Sequence, residues 1–429
     1  MPRKSMLLVL ALGQAMAACG GEAALRDVAV EATSDRSERS LAELTRDAAD
    51  PSSELAESAI AALRTRGPEG HAALFNTYAA EIATLREGQA AGARGERIRH
   101  AIDIVSGQRD GHASGLYWYT DLHEAERVAQ ETHRPILSLR LLGRLDEEMS
   151  CANSRYFRTV LYSNAELSDY LREHYVLHWS SERPVPRVTI DMGDGRRLER
   201  TLTGNSIHYV LDAEGQVIDA IPGLNAPSDF LEFARNAESA HRAGEVARPI
   251  LHQGTLLRLT QMRERMQLAA PMVAGAAPSA IEAMPLTVGK MFVEAPILNA
   301  LRAPAAAPVA LDQVDWRSAA VEIFQRHPET VFDAQSRALL VLKTGQEGPA
   351  LEATMTALSL SVVADSVKND ATLRWSIGQL FAEADTAQTA LDFEAMNTRV
   401  YAEVFLTPAS DPWLGLQHAD VWDAIERLH

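Results

Sequence analysis

The stretch Arg134-Pro135-Ile136-Leu137-Ser138-Leu139-Arg140-Leu141-Leu142-Gly143, followed seven residues later by Cys151-Ala152-Asn153-Ser154, decides how the chain is read. Pro135 disfavours a helical residue before it, and the apolar run Ile136 to Leu142 has the length of a strand. Asp121 to Thr132 reads as an amphipathic helix leading in. Cys151 heads a helical stretch to Leu161, and Ser163-Asn164-Ala165-Glu166 is a capping-box pattern opening a second helix to Glu173. Tyr175 to Trp179 is a second strand. Two hairpins follow, one turning at Gly193-Asp194-Gly195 and one at Ala213-Glu214-Gly215, and Ser228 to Ala240 closes the segment as a helix. The order helix, strand, helix, strand, hairpin, hairpin, helix predicts an α/β domain with mixed strand directions over residues 115–245.

On the amino-terminal side, Leu55, Ala59, Ala62 and Leu63 fall at helical spacing. Gly67-Pro68-Glu69-Gly70 breaks the pattern, and His71, Leu74, Phe75 and Tyr78 resume it. Residues 55–110 are therefore expected to form an N-terminal helical unit, an αα-hairpin loosely similar to a HEAT-type repeat. On the carboxyl side the strands vanish, and residues 250–429 read as an all-α domain. Helices are expected at 254–267, 316–326, 334–342, 349–364, 371–383 and 393–405, with Pro- and Ala-rich linkers at 269–285 and 303–308. The prolines of Leu406-Thr407-Pro408-Ala409-Ser410-Asp411-Pro412-Trp413 suggest a tail folded onto the body. The chain is thus expected to be multidomain and mostly helical, with all-α regions flanking a central α/β domain.

With 429 residues and a formal charge of −17, the chain lacks the clustered cationic surface that a nucleic-acid binder needs. Its two cysteines, Cys19 and Cys151, exclude a disulfide framework and a Cys-rich metal site. Residues 1–19 read as a signal peptide: Pro2-Arg3-Lys4 is a positive n-region, and Met6 to Ala15 is an apolar stretch too short to span a bilayer. The end, Met16-Ala17-Ala18-Cys19, resembles a bacterial lipobox, with Met16 in place of the usual Leu. That resemblance implies lipidation of Cys19, a membrane contact through the lipid anchor, and an envelope location facing the periplasm or the cell exterior. The competing reading is cleavage after Ala15-Met16-Ala17 and plain secretion. Residues 20–54, polar and charged, read as a tether.

The segment from Trp118 to about His241 resembles the thioredoxin-like superfamily. Trp118, Asp121-Leu122-His123-Glu124-Ala125 and Arg134-Pro135-Ile136-Leu137 are similar to that superfamily's lead-in helix and first core strand. Cys151-x-x-Ser154 stands where its redox motif would, at a strand-to-helix junction. Val210 to Val217 and Gly223 are similar to its closing hairpin and the glycine that follows. Several departures limit what the resemblance implies. The second cysteine is Ser154, so no internal CxxC disulfide can form. The loop before Cys151 is lengthened by Gly143 to Ser150. The cis-proline position is taken by Ser206, and the Gly193-Asp194-Gly195 hairpin replaces a helix.

The candidate site centres on Cys151. A thiol at a helix N-terminus meets unpaired N–H groups and the positive end of the helix dipole, which lowers its pKa from about 8.5. Arg140, Arg144, Arg155 and Arg158 would add to this, and Asp146-Glu147-Glu148 would oppose it. One reading is a monothiol site, with Cys151 and Ser154 as catalytic residues, Asn153 in support, and an accessible thiol acting on envelope protein thiols or disulfides. Ser206, at the cis-proline position, and His208, near it and within conceivable reach of Cys151, are further supporting candidates. The other is a redox-inactive thioredoxin-like scaffold or binding lipoprotein, in which Cys151 is a small buried hydrophobe and the helical domains engage a protein partner. No cofactor and no metal are expected. His174 and His178 would lie about 13 Å apart on a strand, too far to chelate one ion. The carboxyl-terminal aromatics Trp375, Phe381, Phe393, Tyr401, Phe405, Trp413 and Trp422 read as core rather than as a ligand-binding surface.

Overall fold

The computed structural model describes residues 39–266 apart from 91, 202 and 203, residues 331–412, and the single positions 316, 321 and 414. The signal peptide, Cys19, both Pro- and Ala-rich linkers, nearly all of the helix expected at 316–326, and Trp413 and Trp422 lie outside the described residues. The protein is mostly helical around a small mixed sheet of four strands.

The N-terminal helices are α1 (Leu41–Asp47), α2 (Ser53–Thr65), α3 (Pro68–Thr77), α4 (Ala79–Arg86), α5 (Gly92–Ser106) and the single turn α6 (Gly111–Ser114). One correction concerns the tether expected over 20–54. Ser40 and Glu43 form a reciprocal capping box that starts α1, and Leu44 and Ala48 are buried with Ile60, Leu63, Leu74, Ile98 and Ile102. Residues 41–47 are therefore part of the folded body, because two apolar residues at i and i+4 are enough to dock a capped two-turn helix on an existing core. Where α2 and α3 cross, a Cβ on Gly70 would lie 2.1 Å from the Leu63 carbonyl oxygen, so this approach needs glycine.

The central elements are α7 (Leu122–Thr132), β1 (Ile136–Leu142), α8 (Ala152–Tyr156) running on through the π-helical turn Phe157–Leu161, α9 (Ala165–His174), β2 (Val176–Arg183), β3 (Arg187–Asp191), β4 (Arg197–Thr201), β5 (Ser206–Leu211), β6 (Val217–Pro222) and α10 (Pro227–Ala243). The sheet order is β2-β1-β5-β6. β1 is parallel to β2 and antiparallel to β5, and β5 is antiparallel to β6. Every residue of β5 and β6 is buried, as expected of strands covered on both faces. Each sheet edge is capped in part. Tyr119 N–H donates to Leu177 O and Tyr119 O accepts from Trp179 N–H beside β2, while Val217 N–H donates to Leu391 O on β6. The β3–β4 ribbon stands outside the sheet, at the position where the sequence places the Gly193-Asp194-Gly195 hairpin. The N-cap of α9 is Asn164, not Ser163. The Asn164 side chain accepts from Leu167 N–H, while Ser163 Oγ is drawn back to the Thr159 carbonyl of the π-helical turn.

The carboxyl-terminal helices are α11 (Ala247–Arg265), α12 (Ala334–Thr344), α13 (Gly348–Asn369), α14 (Trp375–Ala387) and α15 (Phe393–Arg399), with π-helical turns at Asp370–Arg374 and Val400–Val404. They share the core of the sheet. On one face Leu137, Leu139 and Val210 meet Phe157, Leu161, Phe230 and Phe233. On the other, Ile207, Tyr209 and Leu211 meet Ala125 of α7 together with Phe381, Phe393, Tyr401 and Phe405. These four aromatics are core, as their spacing implies, and burial of each is worth about 2 kcal/mol. The run Gly348–Ala387 is long and apolar enough to cross a membrane, but it also places Leu351, Val362, Val363 and Phe381 inside the protein, as a core helix does.

Candidate functional site

Cys151 is the N-cap of α8. Its backbone is extended (φ −62°, ψ 163°), and its sulfur accepts the Ser154 N–H at 3.4 Å. The long loop before it has a definite path. Gly143, with φ 77°, makes the turn out of β1 that a side-chain-bearing residue would resist, and its N–H donates to Arg183 O at 2.8 Å. The fully buried Arg158 then donates to Glu147 O and Glu148 O at 2.8 and 3.0 Å, and Arg109 N–H donates to Leu145 O. Arg155 closes the loop by donating to Ser150 O. The loop's carbonyls at Leu145, Glu147, Glu148 and Ser150 are thereby all bonded before the thiol is reached.

The thiol is not accessible, which corrects the expectation of an exposed monothiol: Cys151 is 0 % exposed. It lies in one buried cluster with Leu142, Val185 and Ile207 of the central region and with the carboxyl-terminal Tyr401, Phe405 and Leu414. Burial pushes the Tyr401 hydroxyl well above its ordinary value, and Glu182, Tyr209 and Cys151 push the same way. Ser154 does not stand in for a second cysteine, because its hydroxyl donates to Arg144 O at 3.3 Å.

Asn153 and Ser206 do come together. Asn153 Nδ2 donates to Ser206 Oγ at 2.6 Å and to Gly204 O at 3.3 Å. His208 makes no pair with Cys151. Its Nε2 is 2.6 Å from the Tyr162 hydroxyl, and its ring edges onto Phe157 and Phe230. The reason is strand alternation: Ser206 and His208 point to the opposite face of β5 from Ile207 and Tyr209, the face that carries the cysteine cluster. Burial lowers the His208 pKa to about 3, so the imidazole is neutral. His174 ends α9 and bonds Glu238, whereas His178 lies on β2 and bonds Ser138 Oγ. No group of three or more His, Cys, Asp or Glu that could hold a metal occurs among the described residues.

The arginines near the thiol are committed elsewhere. Arg140 pairs with Glu182 and Glu394, Arg144 with Asp146, and Arg158 lies 3.8 Å from Asp110. The acidic run is answered in the same way: Glu148 pairs with Arg109 at 3.0 Å, and Glu147 lies 3.5 Å from Arg144. Burial would raise the Glu148 pKa, but Lys343, Arg158 and Arg109 outweigh it and hold it below the ordinary range.

Sequence reasoning missed the bonds that fix the segment after Tyr401. Arg183, at the end of β2, donates to Thr407 O at 2.8 Å, Pro408 O at 3.1 Å and Asp411 O at 2.6 Å. Asn205 Nδ2 donates to Thr407 Oγ1 at 2.9 Å, and the Tyr401 hydroxyl donates to Asn205 O at 3.4 Å. No spacing signal links residues more than 190 positions apart, although the tail's prolines had marked it as ordered. A separate cleft of about 500 Å³ opens between the β5–β6 turn, the start of α11 and the end of α14, lined by Gln216, Arg248, Asp385 and Leu391 among others. None of the residues around Cys151 lines it.

No protein-family model matches the chain, and no curated protein or solved structure matches it significantly.

Proposed function

We propose that the protein is an envelope-located, thioredoxin-like scaffold in which Cys151 caps a helix rather than exchanging disulfides, and whose helical regions engage a protein partner. The observation that carries this reading is the complete burial of Cys151, in a cluster shared by central and carboxyl-terminal residues, with Ser154 in place of a resolving cysteine. Thiol exchange requires in-line approach of a second sulfur to the thiolate, and a fully covered sulfur offers no path. The thioredoxin-like part of the reading is supported by a parallel strand–helix–strand unit followed by an antiparallel hairpin and a helix, with Cys151 at the strand-to-helix junction. The envelope part rests on the lipobox-like Met16-Ala17-Ala18-Cys19 alone.

The test is thiol counting with a disulfide reagent on the folded protein and again in denaturant. The scaffold reading expects the Cys151 thiol to react only after unfolding. Stoichiometric reaction of Cys151 in the folded protein within minutes would end it in favour of the monothiol reading.

A further inference from the structure

The β3–β4 ribbon pairs with no other strand, and a two-stranded ribbon is marginal in water unless one of its faces packs on something. Residues directly opposite each other across the two strands share a face. Val188 opposite Arg200, Ile190 opposite Leu198 and Met192 opposite Arg196 therefore stand together on one face. Asp191 and Glu199 stand on the other, with Arg187 and Arg197. The first face is thus apolar and positive, and neither strand puts a carboxylate on it. Arg196 bonds Asp194 of the turn, whereas Arg200 donates to the Glu199 carbonyl and pairs with no carboxylate among the described residues. Ile190 is 46 % and Met192 56 % exposed, so the outer half of this face is open.

The carboxyl-terminal part of the chain comes to the foot of this ribbon. Arg183, four residues before β3, donates to the carbonyls of Thr407, Pro408 and Asp411. Leu414 is buried in one cluster with Val185. Residues 415–429 follow and lie outside the described residues. In their sequence Val421, Trp422, Ile425 and Leu428 recur at the spacing of one helix face. Asp420, Asp423 and Glu426 lie off that face, Asp420 and Glu426 at its two margins, and Arg427 is the only basic residue besides two histidines. About ten residues at helical rise span roughly 15 Å, and a five-residue strand spans roughly 17 Å, so the two lengths match.

We propose that the ribbon face bearing Val188, Ile190, Met192 and Leu198 is the docking site of the protein's own residues 415–429, with Val421, Trp422, Ile425 and Leu428 against it and Arg196 and Arg200 meeting the acidic margins. Because the segment begins at the ribbon's foot, its effective concentration is about millimolar, and a contact too weak to form between separate molecules is occupied. The inference does not draw on the scaffold reading. Thiol counting judges that reading, whereas the exposure of the ribbon judges this one.

The experiment is backbone hydrogen–deuterium exchange of residues 187–201, read by mass spectrometry. Exchange there is expected to rise at least fivefold in the chain ending at Leu414 and in full-length Ile425→Glu, with β1, β2, β5 and β6 unchanged. Arg200→Glu is expected to speed ribbon exchange about threefold in the full-length chain and to have no effect in the truncated one, which a merely structural arginine would not show. Equal ribbon exchange in the full-length and truncated chains would overturn the proposal. A rise spread evenly over the whole protein would also overturn it, since that is general destabilisation. Protection that grows with protein concentration would put the segment of a second copy on the ribbon and overturn the assignment to the same chain. If the truncated chain does not fold, full-length Ile425→Glu decides in its place.

Discussion

Asn153 Nδ2 lies 2.6 Å from Ser206 Oγ, a bond between the residue two after the buried thiol and the first residue of β5. It ties the start of α8 to the central sheet at a point where both residues are buried. Removing one partner strands the other's polar atom away from water, which costs about 1–3 kcal/mol. Ser206→Ala is therefore expected to destabilise by roughly 1–2 kcal/mol, because Gly204 O still takes one amide hydrogen. The double variant Asn153→Leu with Ser206→Ala should cost less than the two single changes added together. Urea denaturation of the four proteins measures the coupling, and strict additivity would mean that the bond does not contribute.

Four buried histidines give stability a steep acid limb. Burial lowers His71 and His112 to about 4, and His178 and His208 to about 3, from an ordinary value near 6.5. Below 6.5 the unfolded chain takes up these protons and the folded chain does not, so their contribution to stability is lost as pH falls from about 6.5 toward 3. Asp103 acts in the opposite sense. Burial and the neighbouring Asp110 raise its pKa to about 7, so between about 4 and 7 the folded state holds a proton that the unfolded state releases. For these five groups the net uptake at pH 5.5 is about three protons on unfolding, a slope near 4 kcal/mol per pH unit, which Asp219 and Asp229, both raised by burial, reduce. Melting temperatures across pH 5 to 7 check this, and a flat profile would contradict the neutral, buried state of the four rings.

The same Asp103 permits a single-site test. Asp103→Asn removes a carboxyl group that is costly to ionise where it stands, so the variant should gain on wild type as pH rises from 5 to 8, by about 3 kcal/mol over that range. Its pairs with Arg109 at 3.6 Å and Arg99 at 3.9 Å do not offset burial, since the pKa is raised despite them. A constant difference between the two proteins across this range would show that Asp103 titrates as it does in the unfolded chain.

The central α/β region was legible because its signals are local. Pro135 before an apolar run, Gly-containing turns inside both hairpins, and Asp121 at a helix start each act within four residues. Asn153 and Ser206 were placed near Cys151 through the resemblance, and they meet there. The failures have a common cause in non-local burial. A helix-capping cysteine looks the same in sequence whether or not a distant segment covers it. The buried cluster that holds Cys151 takes in Tyr401, Phe405 and Leu414, and Arg183, more than 220 positions away, fixes Thr407 and Asp411 between them. The pairing of His208 with Tyr162 instead of Cys151 follows from the face of β5 on which it stands, which strand alternation could have indicated once Ile207 was placed in the core.

Among several ties between the N-terminal unit and the rest of the protein is one buried carboxylate. Asp110, at φ 60°, lies 2.7 Å from Lys343 of α12 and 3.8 Å from Arg158 behind the cysteine loop. Burial opposes its charge, but Lys343 and Arg158 outweigh burial and keep it below the ordinary range. Lys343→Met leaves that charge with the more distant Arg158 and Arg99, at 3.8 and 4.0 Å. The expected cost is about 2 kcal/mol, toward the low end for a broken buried pair because Lys343 itself is a quarter exposed. Urea unfolding with an unchanged m-value would show this. A loss below about 0.5 kcal/mol would mean that water replaces the lysine.

The role assigned to Cys151 can be separated from that of a plain buried hydrophobe by comparing two replacements of similar size. Serine is smaller and more polar but accepts the Ser154 N–H, as the sulfur does. Valine fills the apolar pocket among Leu142, Val185 and Ile207 but leaves that N–H without an acceptor. If capping is what Cys151 supplies, Cys151→Ser costs less than about 1 kcal/mol and Cys151→Val about 1–2 kcal/mol more than serine. If Cys151 serves only as apolar filling, the order reverses, since burying a hydroxyl in that cluster is then the larger penalty. Thermal and urea denaturation of the two variants beside wild type gives the order directly. A reversed order would refute the capping role and leave apolar packing as the reason the sulfur is held where it is.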